Sequence, residues 1–113
     1  MKVVINREFG GFGLSDAAIK RYAELAGINL VAEKNAWGSY SYYKDHVSEG
    51  TYFSDYDIPR NDPALVQVIE ELGEDADGPS SFLKVVEVPD TVEWMIQDYD
   101  GVEWVAEVHR TWR

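Results

Sequence analysis

A glycine-rich segment is the part of this sequence whose residue types best suit a binding function. It runs from Phe9 to Ser15 as Phe-Gly-Gly-Phe-Gly-Leu-Ser, between a predicted strand and a predicted helix. Backbone N–H groups in such a loop can receive an anion, and the dipole of the following helix favours negative charge at this end. The spacing fits neither the dinucleotide-binding G-x-G-x-x-G pattern nor a P-loop. Glycines also permit tight turning by themselves, so an anion site and a purely structural turn are both open readings.

The C-terminus is the second candidate for ligand chemistry, because Arg110, Trp112 and Arg113 make it cationic and aromatic on an acidic protein. Guanidinium groups beside an indole suit a phosphate and a stacked base. The alternative is a strand end whose tryptophan packs and whose arginines neutralise carboxylates. The two segments together predict a ligand-binding set that consists of Asn6, Gly10, Gly11, Phe12, Gly13, Ser15, Arg110, Trp112 and Arg113.

The remaining polar residues form no catalytic or metal-binding motif. The chain has no cysteine, which excludes disulfides, thiolate metal ligands and cysteine nucleophiles. His46 and His109 have no partner at metal-ligand spacing, and no acidic segment matches a calcium-binding loop. A serine-nucleophile motif is also missing. We therefore predict no metal and no cofactor, and nothing in the sequence argues for an enzyme.

The charge balance limits the partners. The 113 residues contain 10 Lys and Arg against 21 Asp and Glu, for a net charge of −11. Clustered cations bind phosphate backbones and anionic membranes, so we expect neither direct nucleic-acid binding nor membrane binding. No apolar run approaches the roughly 18 residues of a membrane span, and the N-terminal run is too short for a signal peptide. The sequence is typical of one globular domain, residues 1–113, in a reducing compartment.

Two helices are predicted from their capping residues. Ser15 is suited to begin the first helix, which ends at Gly27, a residue that readily adopts the left-handed conformation. Asp62 and Pro63 occupy the preferred cap and first positions of the second helix, which ends at Gly73.

The predicted strands surround these helices. Lys2 to Asn6 is a β-branched run typical of a buried strand. The middle of the chain holds candidate strands at 28–32, 40–43 and 51–53, of which the last two pair around a polar loop. Its dense tyrosines are shared between the core and an exposed face that could form an oligomer contact or a ligand wall.

The C-terminal third predicts a strand over 83–88 and then a β-hairpin. Strands over 92–98 and 102–108 flank Tyr99-Asp100-Gly101. A two-residue Asp100-Gly101 loop would place Trp94 opposite Glu107 and mix apolar with acidic side chains.

A three-residue loop avoids this mixing. It pairs Ile96 with Trp104. It likewise pairs Trp94 with Ala106 and Val92 with Val108, so that one face of the hairpin is apolar. We therefore predict the three-residue loop, with an outer polar face made of Glu93, Gln97, Glu103, Glu107 and His109. The whole pattern predicts an α+β fold, a small and mainly antiparallel sheet with two helices packed on one face and a C-terminal β-hairpin.

Three segments carry a resemblance. They are INREFGGFGLS at 5–15, DIPRNDPALV at 57–66 and EWVAEVHRTW at 103–112. Together they resemble a family of small bacteriophage-encoded proteins, over most of the chain outside its aromatic middle. The resemblance implies a phage accessory protein that works in the host cell cytoplasm, and it assigns no catalytic or binding residue.

A phage accessory protein of this size suggests counter-defence, in one of two physically different forms. In the first, a homo-oligomer sequesters a small nucleotide-type immune signal, with its phosphates on the glycine-loop amides and the C-terminal arginines. In the second, the acidic surface imitates DNA and docks on a basic groove of a host nuclease, restriction or CRISPR enzyme. The first ranks slightly ahead because it uses the glycine loop and the cationic tail. A virion accessory protein is a third alternative.

Overall fold

The computed structural model describes residues 1–108, and it contains two α-helices and three small antiparallel sheets. This confirms the α+β class and the C-terminal hairpin. Within residues 1–108, no helix has both the length and the apolar character needed to cross a membrane. The elements are β1 (Lys2–Asn6), α1 (Asp16–Ala26), β2 (Leu30–Lys34), β3 (Tyr40–Lys44), β4 (Tyr52–Phe53), α2 (Pro63–Leu72), β5 (Leu83–Glu87), β6 (Trp94–Tyr99) and β7 (Val102–Glu107).

The β1–β5 sheet is the centre of the fold, and both of its faces are covered. Val4 pairs with Val85, and both face the core formed with the two helices. Val3 pairs with Val86, and both face the β6–β7 hairpin together with Ile5. A strand that is buried on both sides needs apolar residues at consecutive positions, which explains the β-branched run in β1.

The helices begin and end where their caps predict. The Ser15 hydroxyl accepts a hydrogen bond from the Ala18 N–H at the start of α1, and Gly27 ends this helix with a φ of 71°. Asp62 accepts from the Ala64 N–H at the start of α2. Both helices place their apolar stripes over the Val4 face of the central sheet, as predicted.

The aromatic middle forms the β2–β3–β4 sheet. The strand predicted over 28–32 lies two residues later, and the predicted pairing of the next two strands is confirmed. Tyr42 and Phe53 face each other across β3 and β4 on the buried side of this sheet. Tyr43 and Tyr52 lie on the outer side, where their rings meet edge to face with centroids 5.7 Å apart.

The hairpin register predicted from the apolar pattern is wrong. The turn has two residues, Asp100 and Gly101, with φ angles of 53° and 94°, so Ile96 pairs with Val105 rather than with Trp104. Positive φ at both central residues is the type I′ geometry that matches the twist of paired strands. Likewise Trp94 pairs with Glu107, not with Ala106, and the Val108 N–H bonds to the Glu93 carbonyl, not to Val92.

The physical reason for the error is a buried acid. Glu103 lies on the inward face of β7 and is 8% exposed, although the prediction placed it outward. Both of its oxygens bind the Arg60 guanidinium, at 2.6 and 2.9 Å, and one also accepts from the Asn6 N–H at 2.7 Å. Trp104 therefore lies on the outer face, where its indole N–H donates to Gln97. A rule that requires an all-apolar inner face cannot find this register.

We predict that Glu103→Ala destabilises the protein by about 3–5 kcal/mol, because it leaves the Arg60 charge buried without its partner. Glu107→Ala, two pairs along the same face but exposed, is the matched control and should cost about 0.5 kcal/mol or less. Urea unfolding of the three proteins gives both values. Equal losses in the two variants would contradict the assigned role of the ion pair.

Candidate functional site

The glycine-rich loop connects β1 to α1 and is packed against the hairpin turn. Gly10 and Gly11 have φ angles of 108° and 95°. A Cβ atom on Gly101 would lie 2.4 Å from the Gly11 nitrogen, and a Cβ atom on Gly10 would lie 2.8 Å from the Ser80 Cβ. Three chain segments therefore meet here at backbone distance. This close approach requires glycine at positions 10 and 101, whereas Gly11 is favoured by its positive φ.

Several loop amides already have partners inside the protein. The Gly10 N–H points to the Asp100 carbonyl at 3.4 Å, and the Ser15 N–H donates to the Ala76 carbonyl at 2.9 Å. The Leu14 N–H donates to the Asp55 carboxylate at 2.9 Å. The anion at this loop is thus one of the chain's own side chains, and a ligand phosphate next to it would be repelled by Asp55.

Asn6 is fully buried and uses its side chain to hold the loop in place. Its amide nitrogen donates to the carbonyls of Glu8 and Gly101, each at 2.7 Å. Its amide oxygen accepts from the Phe82 N–H at 2.9 Å and from the Glu8 N–H at 3.4 Å. These contacts join β1, the hairpin turn and the chain before β5, so the residue predicted to bind a ligand ties segments of the fold together.

Three other described members of the ligand-binding set, Phe12, Gly13 and Ser15, also have partners within the fold. Phe12 is buried, and the Arg60 guanidinium carbon lies 3.7 Å from the centre of its ring. The Gly13 carbonyl accepts from the Gly78 N–H, and the Ser15 hydroxyl donates to the Asp75 carbonyl. The structure brings Asn6, Gly10 and Gly11 together at the hairpin turn, whereas Phe12, Gly13 and Ser15 contact other parts of the fold. Arg110, Trp112 and Arg113 lie outside the described residues, so the ligand-binding role of the set stays a prediction.

An open cleft of about 450 Å³ lies beside the loop, at the start of α1. Asp16 and Asp77 line it together with Tyr40. One Asp16 oxygen accepts from the Tyr42 hydroxyl at 2.7 Å, and one Asp77 oxygen accepts from the Leu83 N–H at 2.8 Å. Two carboxylates at its wall give the cleft a negative potential that disfavours a phosphate.

The residues that dominate this region, Glu103, Arg60 and Asp55, were not predicted from the sequence to belong to the site. The one available signal was Glu103, an acid within a strand of alternating apolar residues.

Within residues 1–108, no group of three or more histidine and acidic side chains is arranged to hold a metal ion. Comparisons with known protein families, curated sequences and solved structures found no match to this chain.

Two buried tyrosines link the helix starts to the rest of the fold. Burial, followed by the hydrogen bond to Asp62, raises the pKa of Tyr22 to about 12. Burial and then the hydrogen bond to Asp16 raise the pKa of Tyr42 still further. The Tyr22 phenol donates to Asp62 at the start of α2, and the Tyr42 phenol donates to Asp16 at the start of α1. Ionisation of either phenol would remove its hydrogen-bond donor.

We predict that Gly101→Ala destabilises the protein by about 1–3 kcal/mol more than Gly38→Ala does. Both glycines have positive φ in hairpin turns, so both substitutions add similar backbone strain. Only position 101 has backbone atoms in the way of a Cβ, whereas nothing lies within 4 Å of one at position 38. Urea unfolding measures the difference, and equal effects would contradict the packing role of Gly101.

We predict that stability falls as pH rises from about 10 towards 12. In the unfolded chain the phenols of Tyr22 and Tyr42 ionise near pH 10, but in the folded protein their pKa values are raised, to about 12 for Tyr22. Their contribution is therefore complete below pH 10 and is lost as pH rises through the folded pKa. The double variant Tyr22→Phe/Tyr42→Phe should show a smaller loss of unfolding free energy between pH 9 and pH 11. An identical pH dependence in both proteins would refute this assignment.

Proposed function

We propose that this protein is a binding protein whose acidic surface docks on a basic groove of a partner protein. Apart from Asp55, Asp62, Asp77 and Glu103, every acidic residue of the chain is exposed. A groove that binds DNA presents cations to phosphates and can receive carboxylates in their place. The partner class that fits is a host enzyme that cleaves or binds DNA, as the resemblance to phage proteins also suggests.

Several cations are bound to particular acidic side chains and cannot neutralise the others. The remaining carboxylates therefore keep their negative charge, which supports the proposal. Arg21 donates to Glu71 and Glu24, and Lys2 donates to Glu70 at 3.0 Å. The hydrogen bond from Arg21 is the main cause that lowers the pKa of Glu71 to about 2. Arg60 is bound to Glu103, as described above, and Arg7 donates to the Glu103 carbonyl. The other exposed cations of residues 1–108 are Lys20, Lys34, Lys44 and Lys84.

The carboxylates best placed for docking lie where the chain after α2 meets the start of α1. We define the acidic ridge as Asp16, Glu74 and Asp75, all three of which are exposed. The Ser15 hydroxyl, which also caps α1, donates to the Asp75 carbonyl at 2.6 Å and so ties the two parts of the ridge together. Carboxylates on a backbone held in this way need little ordering when they bind, which keeps the entropic cost of docking low.

Sequestration of a phosphorylated nucleotide is the second proposal, and it rests on the sequence of the C-terminus. Arg110 and Arg113 beside Trp112 are suited to a phosphate and a base. The geometry of the loop disfavours this reading, because the Asp55 carboxylate binds the Leu14 amide and because Asp16 and Asp77 line the neighbouring cleft. A bound nucleotide would therefore depend on the C-terminal arginines for most of its charge compensation.

The test measures inhibition of purified host nucleases and restriction enzymes by the full-length protein. For at least one enzyme, DNA cleavage should be inhibited, and the inhibition should weaken as salt rises because screening reduces the attraction. Glu74→Gln/Asp75→Asn should raise the inhibition constant about tenfold. The control Glu49→Gln/Asp57→Asn carries the same net charge and should change it by less than about threefold.

Failure of the proposal has a defined form. If no enzyme of the panel is inhibited, or if both double variants lose inhibition equally, the acidic ridge is not the docking surface. Titration calorimetry with cyclic and ADP-ribose-type nucleotides then separates the two proposals. Heat that is abolished by Arg110→Ala supports nucleotide sequestration and overturns docking.

A further inference from the structure

We propose that β2 pairs edge to edge with β2 of a second copy of this chain, which forms a symmetric dimer. The strand order β2–β3–β4 leaves one side of β2 without a neighbouring strand among residues 1–108. An edge strand of this kind is a template for pairing, and a symmetric dimer satisfies both copies at once and closes the edge. The inference is independent of the proposed docking function.

The hydrogen-bond register shows which groups of β2 are available. The Asp45 N–H donates to the Asn29 carbonyl and the Asn35 N–H donates to the Ser39 carbonyl, at 2.9 and 2.8 Å. Because bonding alternates along an antiparallel pair, the residues at 31 and 33 also bond towards β3. The N–H and C=O groups of Leu30, Ala32 and Lys34 therefore point away from β3, towards the open side.

One register uses all of these groups. With Ala32 opposite its own copy, Leu30 lies opposite the partner's Lys34, and every outward-pointing residue of β2 lies in a hydrogen-bonded pair. On the outer face, Glu33 then lies opposite the partner's Val31. A register shifted towards the β2–β3 turn would place Glu33 opposite the partner's Glu33, and these two carboxylates would repel each other. The shift in the other direction would require Lys34 to pair with the partner's Ile28, whose N–H already donates to the Ala23 carbonyl.

The same register gives a partner to Trp37, the most exposed tryptophan among residues 1–108. Trp37 is 90% exposed in the β2–β3 turn, where the Asn35 side chain accepts from the N–H groups of Trp37 and Ser39. Because the two strands run antiparallel, this turn lies beyond the partner's Leu30 and next to the partner's Ile28. That residue lines a groove with Tyr22, Phe53 and Pro59. An exposed indole held on an ordered turn is the kind of aromatic anchor that dominates interface energetics.

Cysteine cross-linking tests both the pairing and the register, since the chain has no cysteine of its own. Positions 31 and 33 of opposite copies form a non-hydrogen-bonded pair in the proposed dimer, with Cα atoms about 4.5 Å apart, which lies within disulfide range. A mixture of Val31→Cys and Glu33→Cys proteins should therefore oxidise to a disulfide-linked heterodimer. Each variant alone should give at least about fivefold less cross-linked product. Efficient cross-linking of either variant alone, or no excess in the mixture, would overturn the register.

Light scattering tests the dimer without any cysteine. The wild-type mass should be twice 12.8 kDa. Ala32→Pro removes an N–H that β3 does not use, so this variant should be a folded monomer with an unchanged circular dichroism spectrum. Trp37→Ala should raise the dimer dissociation constant about tenfold or more. A wild-type protein that is monomeric at several hundred micromolar would overturn the inference, as would an Ala32→Pro variant that is still a dimer.

Discussion

The ion pair between Arg60 and Glu103 is the interaction on which the rest of the structure depends. It joins three parts of the chain, because Glu103 lies on β7, Arg60 lies just before α2, and the Asn6 N–H on β1 completes the coordination. Arg60 also covers the ring of Phe12. A buried ion pair is costly to desolvate and is tolerated only when its hydrogen bonds are satisfied. In this protein the hydrogen bonds of the pair are satisfied, and within residues 1–108 no buried side-chain polar atom is left without a partner. The pair therefore fixes the hairpin to the central sheet in one register.

The glycine loop follows from this register. With Glu103 directed inward, the two-residue turn places Gly101 against Gly10 and Gly11, and the Asn6 side chain binds the Gly101 carbonyl. The loop is thus the region where the hairpin turn contacts the chain that follows the first strand. Three of its amides, those of Gly10, Leu14 and Ser15, are turned towards carbonyls or the Asp55 carboxylate. The glycines that suggest an anion site in the linear sequence bring backbones close together here.

Sequence reasoning succeeded where the decisive contacts are local. Caps such as Ser15 and Asp62 act within three residues, so the helices could be predicted from short motifs. It failed for the hairpin register because the partner of Glu103 lies 43 residues away, and no local pattern reveals a compensated buried charge. The same holds for Gly10 and Gly101, where a Cβ atom would meet Ser80 or the backbone of the loop. The residues of the loop were found, but their role depends on tertiary contacts that the sequence does not display.

The proposed β2 dimer interface and the proposed docking surface on the acidic ridge are electrostatically compatible. Two copies with a net charge of −11 repel each other, so an interface between them must lie where the local charge is nearly balanced. Strands β2 and β3 meet this condition, since they contain one acid, Glu33, and two lysines, Lys34 and Lys44. The acids of the ridge belong to other elements, the start of α1 and the chain after α2, although Asp16 contacts β3 through the Tyr42 hydroxyl. Salt then acts on the two surfaces in opposite directions. Screening weakens the attraction of the ridge for a basic groove, and it relieves the repulsion between copies that opposes pairing of the β2 edges.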